Sequence, residues 1–241
     1  MVDVPHDVTQ RGNARRLILD SDADRLVYLS LLREYIVFHE VSLLAYCLMS
    51  SHVHLVVIPR KKNSLALAMK QTHGQYATYW NAGHKSSGHA WQGRFYSCPL
   101  DTAHQWAAMR YAELKPVRAG LVRVAEDWRW SSAAAHCGEA PGEELLAMEL
   151  WQGRWNSESW REYLRQANLE EETARIRECT HTGRPLGTAE FIATLEAATE
   201  RCLTAKKGGR PKNRREENGQ RSLAFMARSE PSGPGYCLSS R

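Results

Sequence analysis

The chain has no long hydrophobic run. Its longest apolar stretch, Val41 to Met49, is interrupted by Ser42 and is far too short to span a bilayer. The first residues, Met1 to His6, lack the basic segment and apolar run of a secretory signal. There is no Cys-x-x-Cys pair: the six cysteines (47, 98, 137, 179, 202 and 237) are scattered, which argues against a zinc ribbon or a disulfide scaffold. Reduced thiols in a cytoplasm are the expectation. Internal repeats are absent too. With 241 residues and 43% hydrophobic content, enough chain remains for one ordinary domain and an extension.

Charge is modest but unevenly placed. The formal net charge is +5, and the stretch 206–221 alone holds seven Lys/Arg against two Glu. The rest of the chain is close to neutral, so composition points to a nucleic-acid contact in the tail and says little of the main domain.

The pattern predicts a strand over His6–Gln10, ended by Arg11-Gly12-Asn13. A helix follows from Ser21, its N-cap, with Asp22 and Asp24 in the first turn and Leu26, Leu29, Leu32 and Ile36 at helical spacing. Val41–Met49 and His52–Pro59 read as a hairpin about Ser50-Ser51, although neither turn residue is a Gly or Asn. A second helix is expected over Ser64–Trp80, a loop over 81–89, and a strand over Arg94–Pro99. Asp101 then caps a helix running to about Leu114, which Pro116 should end. This order predicts an α+β, ferredoxin-like antiparallel sheet with helices on one face. Further helices are expected over Glu144–Leu150, Ser157–Arg177 and Thr188–Thr204. The division expected is 1–137 as the catalytic domain, 138–205 as a helical extension, and 206–241 as a basic, disordered tail.

Side chains two apart on a strand share a face, so His52 and His54 point one way and Val53 and Leu55 the other. Two adjacent imidazoles suit a divalent ion, yet a bare His-x-His reads first as a pair of surface histidines. Tyr111, in the last turn of the Asp101 helix, taken alone reads as a packing residue.

Together with their surroundings these residues form a familiar set. Tyr46-Cys47-Leu48-Met49-Ser50-Ser51-His52-Val53-His54-Leu55-Val56-Val57, Trp91-Gln92-Gly93-Arg94-Phe95 and the run from Arg110-Tyr111 through Leu114-Lys115-Pro116-Val117-Arg118 to Val122 resemble the single-tyrosine HUH transposases. Within that group the likeness is to the REP-associated tyrosine transposases. Thr9–Asn13 and Asp127–Ser132 fit in the same order, so the resemblance covers about residues 5 to 137 and continues weakly through Thr182–Gly187.

The resemblance implies an HUH fold and a tyrosine nucleophile, Tyr111, that cleaves and rejoins single-stranded DNA beside hairpins. The products would be a free 3′-hydroxyl and a 5′-phosphotyrosine link, with no nucleotide cofactor. It implies a divalent metal, Mg²⁺ or Mn²⁺, held by His52 and His54. The family usually places an Asn or Gln four residues after the tyrosine as third ligand; here that position is Lys115, which has donors only. Glu113 is a substitute carboxylate, though it points roughly away from Tyr111. Arg11, Arg15, Arg16, Arg94 and Arg118 are candidate phosphate contacts; for Trp91 and Phe95, core packing ranks ahead of base stacking. Lys206–Lys212, with Arg210 at its centre, resembles an AT-hook as well as a plain basic linker. The alternative is a noncatalytic hairpin-binding protein derived from such an enzyme. A cytoplasmic location is expected, and monomer or homodimer is left open.

Overall fold

A computed structural model describes residues 1–139, 145–167 and 170–204. The expectations for the tail, Arg210 included, and for the start of the 144–150 helix lie outside the described residues. Strand β1 (His6–Arg11) is followed by helix α1 (Asp22–Phe38), strands β2 (Val41–Met49) and β3 (His52–Pro59), and helix α2 (Ser64–Gly83). Strand β4 (Tyr96–Pro99) and helices α3 (Thr102–Glu113), α4 (Lys115–Arg118) and α5 (Ala133–His136) come next. Helices α6 (Met148–Gln152), α7 (Ser157–Arg165), α8 (Glu170–Thr182) and α9 (Ala189–Thr199) complete the order. Among the described residues no helix is long and apolar enough to cross a membrane.

The sheet is antiparallel throughout, in the order β2-β3-β1-β4. One face carries Val8, Leu43, Val53, Leu55 and Val57 into a core closed by α1 and α2 through Tyr28, Leu32, Met69 and Tyr76. The opposite face carries Leu44, Ala45, Val56 and Ile58 against α3. The change of face between Leu43 and Leu44–Ala45 coincides with an irregularity of the β2–β3 register between Leu43 and Ala45. Helices α1 and α2 thus make the expected ferredoxin-like layer, and α3 adds a second layer behind the sheet.

Local physics explains most element ends. At α1 the Ser21 hydroxyl accepts from the Asp24 amide and the Asp24 carboxylate accepts from the Ser21 amide, both at 3.1 Å, a reciprocal capping box. The buried stripe of α1 includes Arg25, Tyr28, Leu32 and Ile36, with Leu29 partly buried beside it; Leu26 is exposed on another side of the helix. Trp91 is also core: its indole N–H donates to the His73 carbonyl at 2.8 Å among Tyr28, His73 and Tyr76. Phe95 packs partly buried against the same core.

Several boundaries differ from the sequence pattern: α2 runs on to Gly83, and α9 ends at Thr199 instead of Thr204. The last strand starts at Tyr96, not Arg94. The single helix expected over 157–177 is two helices, since Gln166 leaves α7 with extended backbone (φ −57°, ψ 150°). The helix expected to about Leu114 closes at Glu113, with Leu114 as its non-helical C-cap (φ −83°, ψ 1°), but a separate short helix, α4, starts at Lys115 and carries Pro116 in its first turn. A proline is tolerated there because that amide would have no intrahelical acceptor.

Candidate active site

The register of β1 against β3 builds the site floor. Asp7 pairs with Val56, Thr9 with His54 and Arg11 with His52, so these side chains share the face on which α3 packs. Asp101 starts α3 by accepting from the His104 amide at 2.8 Å, and the helix then carries Tyr111 onto that face. The Tyr111 ring meets the His54 ring edge-on, with centroids 5.7 Å apart, and the His52 and His54 centroids are 5.1 Å apart.

Lys115 opens α4 directly after the Leu114 cap, four residues beyond Tyr111, and its side chain reaches back to the tyrosine. Its Nζ lies 2.5 Å from the Tyr111 hydroxyl and 3.7 Å from the ring centroid. Arg118 stands over the same ring at 4.8 Å and also donates to the Thr173 hydroxyl. The family-like tyrosine is therefore clasped by two cations.

Tyr111 is only 4% exposed, so access to it runs through the cavity it lines, of about 670 Å³. Asp7, Thr9, Arg11, Arg15, His54 and Lys115 line it too, and α8 closes it with Arg177, Thr180 and His181. Asp7 is wholly buried: one oxygen accepts from the Thr180 hydroxyl at 2.5 Å, and the other has no partner. Burial raises the Asp7 carboxyl to about 6, against the opposing pull of the Thr180 bond and of Lys115.

Burial also governs the bases. It lowers His52 to about 4, helped by Arg11 and Lys115, and holds His54 well below the ordinary histidine range. Both imidazoles are therefore neutral at physiological pH, the form that ligates a metal. His54 is buried and its Nδ1 has no partner, while the Ser51 hydroxyl is 3.1 Å from His52 Nδ1. The pair thus fits a divalent ion as two ligands. Among the described residues no group of three or more His, Cys, Asp or Glu could hold one. Glu113 is not a third: it is buried behind α3, accepting from Ser132, His136 and Trp160. At the position four after the tyrosine, Lys115 is turned onto the tyrosine itself.

The expected arginines separate. Arg11 and Arg15 line the Tyr111 cavity and Arg118 flanks the tyrosine. Arg16 stacks over Trp80 at 5.1 Å, and Arg94 lines a neighbouring cavity with Gln10, Phe95, Tyr96 and His181. The sequence pattern assigns no site role to Asp7 or to Thr9, though their alternation with Arg11 on β1 is a usable signal. Arg177, Thr180 and His181 carry none, since only the packing of α8 brings them to the site.

Residues 6–114, a little under half of the chain, match the family model described as "Transposase IS200 like". Among solved structures, the chain resembles a REP-associated tyrosine transposase bound to a REP hairpin, with a TM-score of 0.50 at 17% identity. That match covers 59% of this chain and 86% of the other, and it establishes a shared fold. A Deinococcus radiodurans protein described as a transposase matches at 13% identity and a TM-score of 0.36, covering 50% of this chain and 92% of the other. The latter likeness is too slight to add to the argument. No curated protein matches.

Proposed function

We propose that the protein cleaves and rejoins single-stranded DNA at REP-like hairpins, with Tyr111 as nucleophile. The observation that carries this reading is the edge-on contact of Tyr111 with His54 in one cation-lined cavity of an IS200-like transposase domain. Tyr111 would attack a phosphodiester, forming the phenol oxygen–phosphorus bond as the bond to the 3′-oxygen breaks. The phenolic oxygen is a better leaving group than an alkoxide, so the link is reversible. His52 and His54 would hold a divalent ion, Mg²⁺ or Mn²⁺, which when bound neutralises the scissile phosphate. Arg11 and Arg15 would hold flanking phosphates.

The test is incubation of the full chain with Mn²⁺ and a labelled hairpin oligonucleotide, followed by denaturing electrophoresis. We expect a covalent adduct in the native protein and none in Tyr111→Phe; an adduct that persists in Tyr111→Phe refutes the assignment. A calorimetric titration of the DNA-free protein with Mn²⁺ should lose at least about tenfold in affinity in His54→Ala. The second reading, a noncatalytic hairpin-binding protein, draws on the lysine at the third-ligand position. It predicts hairpin binding without any adduct.

A further inference from the structure

Lys115 has left the role its position suggests. At the end of a flexible stem it could point anywhere in the cavity, yet its Nζ rests 2.5 Å from the Tyr111 oxygen and 3.7 Å from the ring centre. An ammonium over the face of a tyrosine is held by the ring as well as by the hydrogen bond. Asp7, fully buried and with one oxygen unpartnered, lines the same cavity. We propose that Lys115 is the catalytic proton acceptor and donor for the Tyr111 hydroxyl during DNA strand transfer, with Asp7 as the buried counter-charge. The assignment rests on the strand-transfer reading above.

In the forward step the Tyr111 oxygen–phosphorus bond forms and the phosphorus–3′-oxygen bond breaks. The phenol proton passes to the neutral Lys115 amine, and the departing 3′-oxygen takes a proton from water. In the reverse step a 3′-hydroxyl attacks, gives its proton to water, and the Lys115 ammonium returns a proton to the phenol oxygen.

The environment suits a lysine to this exchange. Burial first, then Arg118 and Arg177, lower its ammonium to about 7, while Asp7 and Cys47 pull the other way. The neighbouring His54 and Tyr111 complete the groups that face it. A base is most effective when its pKa lies near the working pH, and an ordinary surface lysine does not meet that condition.

The experiment measures single-turnover adduct formation by the full chain, with hairpin binding and Mn²⁺ titration as parallel measurements. Lys115→Ala should slow adduct formation by about 100-fold while hairpin binding stays within about twofold of native. Added ethylamine should restore part of the lost rate. Lys115→Arg should remain slow, since a guanidinium keeps the charge but does not give up its proton. Mn²⁺ affinity in the absence of DNA should not fall in either variant. Should Lys115→Ala fail to fold, Lys115→Met takes its place in the same comparison. A native rate in Lys115→Ala, a native rate in Lys115→Arg, or a loss of Mn²⁺ affinity on removing the amine would each overturn the assignment. No adduct in the native protein sinks the strand-transfer reading and this assignment together; an adduct insensitive to Lys115 sinks this one alone.

Discussion

Replacing Glu113 by alanine removes a carboxylate that has no exposure and three donors. Its Oε1 accepts from the Ser132 hydroxyl at 2.5 Å and from His136 Nδ1 at 2.6 Å, and its Oε2 from the Trp160 indole at 2.8 Å. These bonds tie α3 to α5 and α7, on the side of α3 away from the sheet histidines. Alanine leaves the His136 and Trp160 donors buried without an acceptor, at roughly 1–3 kcal/mol each, while the Ser132 hydroxyl keeps the Tyr46 carbonyl at 3.3 Å. Partial relaxation and entry of water reduce that sum, so a loss of about 3–5 kcal/mol is expected, as for other broken buried polar networks. This is a large fraction of a typical total stability of about 5–15 kcal/mol. Glu113→Gln keeps two acceptor contacts but sets an amide N–H against the Trp160 N–H, so a loss of about 1–3 kcal/mol follows. Urea unfolding followed by tryptophan fluorescence reads both values. If Glu113→Ala costs under about 1 kcal/mol, the network is not what holds α7 to α3. The same variants test a metal role: Glu113→Gln should bind Mn²⁺ as the native protein does, and a weakened affinity would restore Glu113 as a ligand.

Three other outcomes can be measured. The Asp7 carboxyl is raised from 3.8 to about 6 on folding, so its burial penalty is full above pH 6 and absent below 3.8. Asp7→Asn should therefore be more stable than native at pH 7.5, by about 1–3 kcal/mol, with the gain vanishing toward pH 4; a constant difference across that range refutes the assigned cause. A Cβ on Gly12 would come within 2.4 Å of the Arg16 carbonyl oxygen, a backbone atom that cannot swing away. Gly12→Ala should cost about 1–3 kcal/mol and weaken hairpin binding by displacing Arg15; native thermal stability would show that the loop yields freely. Deleting residues 206–241 should weaken DNA binding at low salt and spare adduct formation, and loss of adduct on a bound hairpin would overturn that separation.

Legibility from sequence tracked the range of the interaction. The hairpin strands β2 and β3 and the Ser21 cap were readable because alternation and capping are local, and both strands fall where the pattern places them. The face shared by His52 and His54 was readable for the same reason. Of the apolar α1 positions, Leu32 and Ile36 are buried and Leu29 packs on the core, while Leu26 falls outside the stripe, which Arg25 and Tyr28 continue. The end of α3 close to Leu114 was legible; that a short helix restarts at Lys115 was not, since proline breaks a helix interior but fits a first turn. That Arg15 lines the Tyr111 cavity and Arg94 the neighbouring one depends on tertiary packing that no local pattern carries. Nothing local marked Thr180 as the partner of Asp7, 173 positions away in sequence.

That distant contact makes the dock of α8 and the charge state of the site one interaction. The family match ends at residue 114, one residue before Lys115. Lys115, Arg118, Arg177 and Thr180 all come from chain beyond it, and all bear on Tyr111 or Asp7. Burial under α8 is what raises Asp7, and burial is likewise the first cause lowering Lys115. Loosening α8 would admit water to both groups and let each return toward its ordinary range, Asp7 downward and Lys115 upward. Lys115 would then be a plain ammonium at neutral pH, unable to take the proton that the proposed exchange requires. Packing of the C-terminal helices thus reaches the tyrosine through electrostatics as well as through shape, which a catalytic segment bounded at residue 114 would lack.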